Sequence, residues 1–467
     1  MISLYLKDII THIDGKLLRG NSNTVIRGAV NSPRNLANNT IYFHRSRTRF
    51  ANLYLFTARK YINSVIITDD PGQFDKLDGL GIVKVPNINV AYLKFMNYYR
   101  GLFNIPIIGI TGTCGKTTTK DMLKHILSSM YKVQATVKSQ NGLQRNLKYL
   151  VGIDDQTDAA VFEMGVSLPG DLRHSCQCFN PQIRILLNIG VHHLTGCKTP
   201  AAYLAAKAEI LEGLDPINGI LILNADDENI KKINVSRFQK IVYFGLSKKC
   251  DFQAKNIKYS GKGMTFTLKY QYREYEVYVP GLGKHNVYNA LAAIAAATTL
   301  GMHIKKICER LLRFKPVEEH LEYHKGRGGC SVIDDTWNNS VLSMEAALKV
   351  LKDISNSRIT IALLGYMPRL GLSDYAIEQY ASIGRKVVET GVDLLIVIGD
   401  EAKEIGRTAL KLGMKKSNIY FSNNGTDIYE IIHPYLNENS IVLLKITHRQ
   451  MLEPSFLKLK NNLLSRS

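Results

Sequence analysis

The chain has 467 residues, which is too many for one hydrophobic core and predicts two or three domains. Its apolar fraction of 45% and its charged fraction of 21% are those of a soluble globular protein. Sixty Lys and Arg residues against 40 Asp and Glu residues give a net charge of +20, which favours anionic ligands or nucleic acid. The basic residues are scattered along the chain, so we expect phosphorylated small molecules as ligands and no nucleic acid.

The cysteines and the N-terminal residues bear on the compartment of the protein. The seven cysteines form no C-x-x-C pair, and an odd number of scattered thiols is typical of a reducing compartment. The first residues lack the apolar segment of a signal peptide, and no apolar run is long enough to cross a bilayer. We therefore expect a cytoplasmic protein without membrane insertion.

The first 102 residues alternate between strand and helix patterns, which predicts a small N-terminal α/β domain. This unit contains no residue with an evident catalytic role, and we interpret it as a domain that presents a substrate. The predicted helices cover residues 4–10, 50–61 and 90–102, and the predicted strands cover residues 25–30, 40–43 and 64–68.

A glycine-rich turn follows a β-branched strand at residues 105–110 and precedes a helical pattern. Strand, turn and helix in this order form a phosphate cradle, in which Gly112 and Gly115 let backbone N–H groups approach an anion. Lys116 would reach the β- and γ-phosphates of a nucleotide, and the Thr117 hydroxyl would bind Mg²⁺. A chance glycine-rich turn is the alternative, because Ile110 stands where the usual spacing of this motif has glycine.

Residues 103–315 predict a central domain built on a parallel sheet around this cradle. Because ligands collect at the carboxyl ends of parallel strands, we expect Glu163, Asn188 and Asp226 to lie beside the cradle. A hairpin is predicted over residues 255–278, followed by a long alanine-rich helix. The further predicted strands of this domain cover residues 133–136, 159–164, 184–189 and 220–224.

Residues 316–467 predict a third, doubly wound α/β domain. Ser343 is the predicted N-cap of a helix over residues 343–351. The predicted strands cover residues 331–333, 359–364, 394–398 and 441–445.

Three further residues of the central domain are candidate metal ligands or catalytic groups. Glu163 at the end of a buried strand suits Mg²⁺, although an acidic residue at a strand end is commonly only solvated. His193 could ligate a second metal, although a lone histidine is more often structural. Lys207 lies among small alanines on a helix that starts at Pro200, and its burial would lower the lysine pKa and favour the neutral amine.

The motifs occur in an order that resembles the Mur ligase family over nearly the whole chain. Each motif is modest by itself, whereas the ordered set is specific. The family usually has Asn at the position of Cys114. The matching segments are Thr111 to Thr118, Glu163-Met164-Gly165, Asn188-Ile189-Gly190 with His193-Leu194, Ala206 to Ile210, Asn224 to Asp227, His285 to Leu291, Ile333 to Asn338 with Ser343 to Leu348, and Leu364-Gly365 with Met367, Leu370 and Gly371.

The resemblance implies three domains: an N-terminal substrate domain, a central P-loop ATPase domain and a C-terminal Rossmann-like domain. It also implies an ATP- and Mg²⁺-dependent ligase that activates a carboxylate as an acyl phosphate and joins it to an amine. The third-domain motifs are most similar to the branch that adds a dipeptide to a peptidoglycan precursor. The implied partners are a small-molecule carboxylate and an amino acid or dipeptide, and we expect a monomer.

The resemblance further implies a role for each matching residue. The nucleotide would be bound by Gly112, Thr113, Gly115, Lys116, Thr117, Thr118, Asn286, His320 and Asp335. Metals would be held by Thr117, Glu163, His193 and Lys207, the last as a carbamate, and the catalytic residues would be Lys116, His193 and Lys207.

Several departures from the family pattern leave the substrate open. Pro33 separates Ser32 from Arg34 where the family has an adjacent Ser-Arg pair for a UDP group, and the following Asp-Gly-His is Ala51-Asn52-Leu53. The third domain has Lys445 to His448 in place of Lys-Gly-Ser-Arg, and His320 in place of an arginine. The alternatives are therefore a ligase for another carboxylate and amine, a non-catalytic ATP-binding relative, and a nucleic-acid-stimulated ATPase.

Overall fold

The computed structural model describes residues 1–45, 61–74, 79–371 and 373–464 of the chain. Three α/β units follow one another in these residues, each built on its own main sheet, which confirms the predicted fold class. The predicted boundaries after residues 102 and 315 stay predictions, and the main sheet of each unit lies within one of the predicted ranges.

The N-terminal unit contains a mostly parallel sheet in the strand order β2-β7-β6-β5-β4. The prediction of one strand over residues 25–30 was wrong, because Arg27 separates β3, which pairs with β1, from β4, which pairs with β5. Most of the predicted helix over residues 50–61 lies outside the described residues. The elements of this unit are β1 (Leu4–Tyr5), α1 (Leu6–His12), β2 (Lys16–Arg19), β3 (Val25–Ile26), β4 (Gly28–Val30), β5 (Thr40–Phe43), β6 (Val65–Thr68), β7 (Gly81–Lys84) and α2 (Ile88–Gly101).

The central unit contains a sheet in the order β16-β15-β14-β13-β12-β11-β8-β10-β9, parallel from β14 to β9. Its elements are β8 (Ile107–Thr111), α3 (Lys116–Leu127), β9 (Val133–Ala135), α4 (Asn146–Leu150), β10 (Ala159–Glu163), α5 (Asp171–Phe179), β11 (Ile183–Leu186), α6 (Leu194–Cys197), α7 (Pro200–Ala208), β12 (Ile220–Asn224), β13 (Lys240–Gly245), β14 (Phe252–Ser260), β15 (Gly263–Tyr270), β16 (Arg273–Pro280), α8 (Lys284–Thr299) and α9 (Ile304–Leu312).

The predicted hairpin over residues 255–278 is instead a three-stranded antiparallel meander of β14, β15 and β16. The turn at Gly261 was predicted, whereas the second turn was not, because Gln271 and Tyr272 occupy it. Both residues have positive φ angles, 47° and 63°, which usually call for Gly or Asn. The sequence therefore gave no turn signal at this point.

The C-terminal unit contains a sheet in the order β17-β18-β22-β19-β20-β21, parallel except at β17. The predicted N-cap Ser343 was wrong by one turn: Ser340 caps α10, and Ser343 completes a reciprocal capping box. The elements are β17 (Glu322–Lys325), β18 (Ser331–Asp334), α10 (Val341–Ile354), β19 (Ile359–Leu364), α11 (Asp374–Thr390), β20 (Leu394–Val397), α12 (Lys403–Lys411), β21 (Ile419–Phe421), α13 (Gly425–Ile432), β22 (Ser440–Lys445), α14 (His448–Met451) and α15 (Pro454–Leu464).

Strand β8 lies in the middle of the central sheet, between β10 and β11, and every one of its residues is buried. Its isoleucines pack into two separate hydrophobic clusters, one on each face of the sheet. Burial of each such side chain contributes about 1.5–3 kcal/mol, so the strand that carries the glycine loop is firmly held. Within the described residues, the structure has no helix with the length and apolar content needed to cross a membrane.

Candidate active site between the central and C-terminal domains

The glycine loop connects β8 to the first residue of α3, as the sequence predicts. Gly115 caps the helix with a φ of 82°, and a Cβ atom added there would lie 2.2 Å from Asn289 Oδ1. A side chain is therefore excluded both by backbone conformation and by the close approach of α8. The loop places the N-terminus of α3, with its free N–H groups and positive dipole end, at the edge of a cavity.

Asn188, which follows β11, fixes the shape of this loop. Its side-chain oxygen accepts hydrogen bonds from the backbone N–H groups of Thr113 (3.1 Å) and Cys114 (2.8 Å), and its amide donates to Cys114 O (3.1 Å). The Thr113 hydroxyl in turn accepts from Gly190 N. The sequence placed Asn188 beside the cradle, and the structure shows that it supports the loop directly.

Two lysines donate to the same loop carbonyl. Lys116 Nζ donates to Gly112 O (3.0 Å) and Thr113 O (3.1 Å), while Lys207 Nζ donates to Gly112 O (2.9 Å) and to the Thr111 hydroxyl (3.1 Å). Burial, followed by the charge of Lys116, holds the pKa of Lys207 well below its usual value. The neutral amine that the sequence analysis expected of Lys207 is therefore favoured in this setting.

A pair of hard oxygen ligands lies next to the loop. The Thr117 hydroxyl is 2.9 Å from Glu163 Oε2 and 2.8 Å from Ser139 Oγ, and Asn141 donates to the other carboxylate oxygen. Glu163 is buried at the end of β10, where no described lysine or arginine pairs with it. A buried carboxylate beside a hydroxyl is the donor set that Mg²⁺ prefers, so these residues fit the metal.

His193 and its neighbour line the opposite wall of the cavity. Burial, followed by the neighbouring His192 and the charge of Arg369, lowers the pKa of His193 far below its usual value, which favours the neutral ring. Burial likewise lowers the pKa of His192 to about 3. Arg369, from the segment after β19, donates through Nη1 to His193 Nδ1 (3.3 Å) and to Ser167 Oγ (3.3 Å).

The remaining predicted nucleotide ligands line the same cavity of about 860 Å³, which both the central and the C-terminal units enclose. Asn286 donates to Leu282 O and accepts from Asn289, so its amide is engaged within α8 and the preceding turn. His320 stacks at 6.0 Å on Trp337, whose other neighbour is His448 at 4.8 Å. Thr118 also lines the cavity, so all the predicted nucleotide-binding residues outside Gly112 have side chains or backbone at its wall.

Two acidic residues that the sequence singled out are engaged in the protein itself. Asp226 accepts from Leu246 N, Ser247 N and the Tyr288 hydroxyl, so its carboxylate is engaged within the protein, and its expected place beside the cradle stays a prediction. Strand β13 continues past β12, so the backbone after it captures this carboxylate. Asp335 lines the cavity but forms an ion pair with Lys445 at 2.7 Å.

Several residues of the cavity wall had no role predicted from the sequence: Ser139, Asn141, His192, Trp337 and Arg369. Ser139 and Asn141 lie in a segment between β9 and α4 without a recognisable motif. Arg369 is brought to His193 across 176 positions of sequence. Trp337 lies within the matching segment Ile333 to Asn338, and His192 directly precedes His193, so these positions were the available signals.

Comparison with known proteins agrees with this arrangement. The Mur ligase middle domain matches residues 110–297, and the Mur ligase glutamate ligase domain matches residues 321–445. The chain is 27% identical to a Bacillus subtilis protein named UDP-N-acetylmuramoyl-tripeptide–D-alanyl-D-alanine ligase, over 97% of each chain. It is also 27% identical to the Haemophilus influenzae protein of that name, over 99% of this chain and 100% of the other.

Two solved structures share the fold. MurF from Acinetobacter baumannii superposes with a TM-score of 0.86 at 22% identity, covering 98% of this chain and 99% of the other. MurF ligase from Thermotoga maritima, solved in complex with ADP, has a TM-score of 0.79 at 21% identity, covering 93% and 96%.

The fold and the site together define a three-domain P-loop protein whose nucleotide loop faces a C-terminal Rossmann-like domain. Both matched domains, which follow one another in the chain, come from one group of ligases. The chain belongs to the Mur ligase family.

Proposed function

We propose that the chain is an ATP-dependent ligase that joins a D-alanyl-D-alanine dipeptide to a UDP-N-acetylmuramoyl-tripeptide in peptidoglycan precursor synthesis. One observation carries this proposal: Lys116, Lys207 and the Thr117–Glu163 pair surround a single glycine loop in a cavity between two domains. The names of relatives that align over almost the full chain support the substrate pair.

The cavity suits a nucleoside triphosphate. Lys116 Nζ donates to two carbonyls of its own loop. On nucleotide binding, this ammonium group would instead contact the β- and γ-phosphates. Thr117 and Glu163 would hold Mg²⁺, which supplies positive charge to the phosphates. Arg369 on the cavity wall, which has no described carboxylate within ion-pair distance, suits substrates that carry carboxylate and phosphate groups.

The chemistry would proceed in two steps within this cavity. A carboxylate oxygen of the tripeptide attacks the γ-phosphorus of ATP, the bond from that phosphorus to the β-phosphate oxygen breaks, and ADP leaves. The dipeptide amine then attacks the acyl carbon, the bond to the phosphate oxygen breaks, and the amine proton is lost as phosphate departs. Lys116 would stabilise the transferring phosphoryl charge, and the two domains would hold the reactants in line.

The sequence analysis also proposed a second metal on His193 and a carbamylated Lys207, and this stays a prediction. A neutral Lys207 amine could react with carbon dioxide to give the anionic carbamate. As an unmodified amine, however, Lys207 donates to two loop oxygens, and Arg369 occupies His193 Nδ1. No step above depends on this second metal.

Release of ADP from purified protein tests the proposal. We expect sustained ADP release over many turnovers only when the tripeptide nucleotide and D-alanyl-D-alanine are both present with Mg²⁺. ADP release with another carboxylate and amine from a panel, and none with this pair, would favour a ligase of different specificity. Nucleotide binding without turnover on the whole panel would favour a non-catalytic relative, and stimulation by added nucleic acid would favour the third alternative.

A further inference from the structure

Arg369 joins the C-terminal domain to the catalytic wall of the central domain. Its side chain reaches His193 Nδ1 and Ser167 Oγ, each at 3.3 Å, while its backbone carbonyl accepts from Thr195 N at 3.1 Å. Side chain and backbone thus both bind the segment around His193. This double attachment places the guanidinium reproducibly at one nitrogen of that ring.

The backbone around Arg369 is also held by the core of the C-terminal domain. Arg369 has a φ of 67°, a left-handed conformation that is strained for a non-glycine residue and persists only where neighbours impose it. Met367 and Leu370, on either side, are 3% and 2% exposed and pack in the core of the C-terminal domain. The arginine is therefore presented by an anchored turn.

The charge of Arg369 is available to the cavity. Among the residues that the structure describes, no carboxylate lies within ion-pair distance of its guanidinium, whereas Lys445 on the same wall is paired with Asp335. A guanidinium has five N–H donors, and Nη1 alone contacts His193 and Ser167. The rest of the fork remains free to bind an anion in a bidentate manner.

A neutral imidazole has one nitrogen with a lone pair, and the other carries a proton. Since Arg369 donates to Nδ1, the lone pair lies on Nδ1 and Nε2 holds the proton. A metal ion bonds to a histidine nitrogen at about 2.0–2.2 Å, where it would replace the arginine and meet its positive charge at close range. Arg369 and a second divalent cation therefore compete for the same atom of His193.

We propose that Arg369 fills the second cation position at His193, so that this enzyme binds one divalent ion with its nucleotide instead of two. This rests on the proposed ATP-dependent function and deepens it. The fixed guanidinium supplies positive charge to the reacting phosphate and carboxylate groups, and the Thr117–Glu163 pair holds the single metal.

Counting Mn²⁺ ions by electron paramagnetic resonance, with the full chain saturated by a non-hydrolysable ATP analogue in bicarbonate buffer, tests this inference. We expect one Mn²⁺ per wild-type chain and two for Arg369→Met. Arg369→Gln, a second variant at this exposed side chain, should also bind two. Arg449→Met removes another arginine of the cavity wall that makes no contact with His193, and it should still bind one.

Two Mn²⁺ ions on the wild-type chain would overturn the inference, and so would a single ion on both Arg369 variants. The affinity for the ATP analogue, measured in the same titration, reports separately on the proposed function. Failure of the analogue to bind would overturn that function and this inference with it, whereas a wrong ion count with tight analogue binding would overturn the inference alone.

Discussion

Lys445 and Asp335 form a buried ion pair on the wall of the cavity, with Lys445 Nζ 2.7 Å from Asp335 Oδ2 and side-chain exposures of 1% and 9%. Lys445 also donates to Asn338 O at 2.8 Å, so it joins the end of β22 to the turn after β18. The Asp335 carboxylate, which is among the predicted nucleotide ligands, is therefore already compensated by a lysine of its own domain.

Removal of one partner of this pair is expected to destabilise the protein. Lys445→Met should lower the free energy of unfolding by about 3–5 kcal/mol, because it leaves an uncompensated buried carboxylate. The double variant Asp335→Asn with Lys445→Met should recover much of this loss. Urea denaturation followed by circular dichroism measures both, and equal losses in the single and double variants would contradict the assignment.

Lys116→Met tests the phosphate cradle. Turnover should fall about 100-fold or more, since the variant lacks the charge that stabilises the transferring phosphoryl group. Steady-state ADP release and nucleotide titration measure the effect. Lys124→Met, at an exposed position of the same helix, serves as the control and should retain wild-type values. Unchanged turnover in Lys116→Met would remove the basis of the proposed function.

Glu163→Gln tests the metal ligand. The amide keeps the shape of the side chain but loses its negative charge, so the affinity for Mn²⁺ in the presence of ATP should fall about tenfold or more. Titration with Mn²⁺ measures this affinity directly. Glu228→Gln removes an exposed carboxylate whose side chain is 79% accessible, and it should leave the titration curve in place.

Lys207→Met tests the burial of an amine through the pH dependence of stability. The folded pKa of Lys207 lies below the unfolded value of about 10.4, so the unfolded chain binds more protons between those two values. The free-energy cost of burying Lys207 is greatest below its pKa in the folded protein. This cost disappears as the pH rises to the pKa of the unfolded chain. The wild-type protein should therefore gain stability relative to Lys207→Met from pH 7 to pH 10.

Urea unfolding of both proteins across this pH range provides the measurement. Because all other titrating groups are shared, the difference in the free energy of unfolding isolates the lysine. A difference that stays constant with pH would mean that Lys207 remains charged when folded. Lys120→Met, which removes another buried lysine whose ammonium donates to Thr136 O, is the matched control for the loss of a buried lysine as such.

His320→Arg tests the position at which this chain has a histidine and the Mur ligase family has an arginine. Arginine is charged at all working pH values and can stack on Trp337 in place of the imidazole. We expect nucleotide affinity to rise several-fold, because the variant adds a permanent positive charge at the cavity wall. Isothermal titration with ATP measures it, and equal affinities would show that His320 serves only to pack against Trp337.

Some of the site was predictable because its signals are local. The glycine loop, Lys116 and Thr117 lie within seven residues of β8, so a strand, a turn and a helix suffice to bring them together. Glu163 was predictable because it ends β10, the strand that pairs with β8. The small residues around Lys207 likewise signalled its burial.

Other features could not be predicted, because distant segments compete for the same polar groups. Asp226 has the same strand-end position as Glu163, yet backbone N–H groups after β13 capture its carboxylate. The N-cap of α10 is Ser340 and not Ser343. The sequence does not distinguish the two, because either serine can accept a hydrogen bond from the first turn of a helix.

Strand and helix periodicity and short motifs depend on neighbours along the chain, and for this reason they were enough to predict the order of three α/β units, the phosphate loop and the family. The partners of the polar groups follow only from the folded chain: Asp335 forms an ion pair with Lys445, and Arg369 donates a hydrogen bond to His193. The physical reason is that electrostatic and hydrogen-bond partners are chosen by distance in space, and packing of the domains brings together residues that the sequence separates by more than 100 positions.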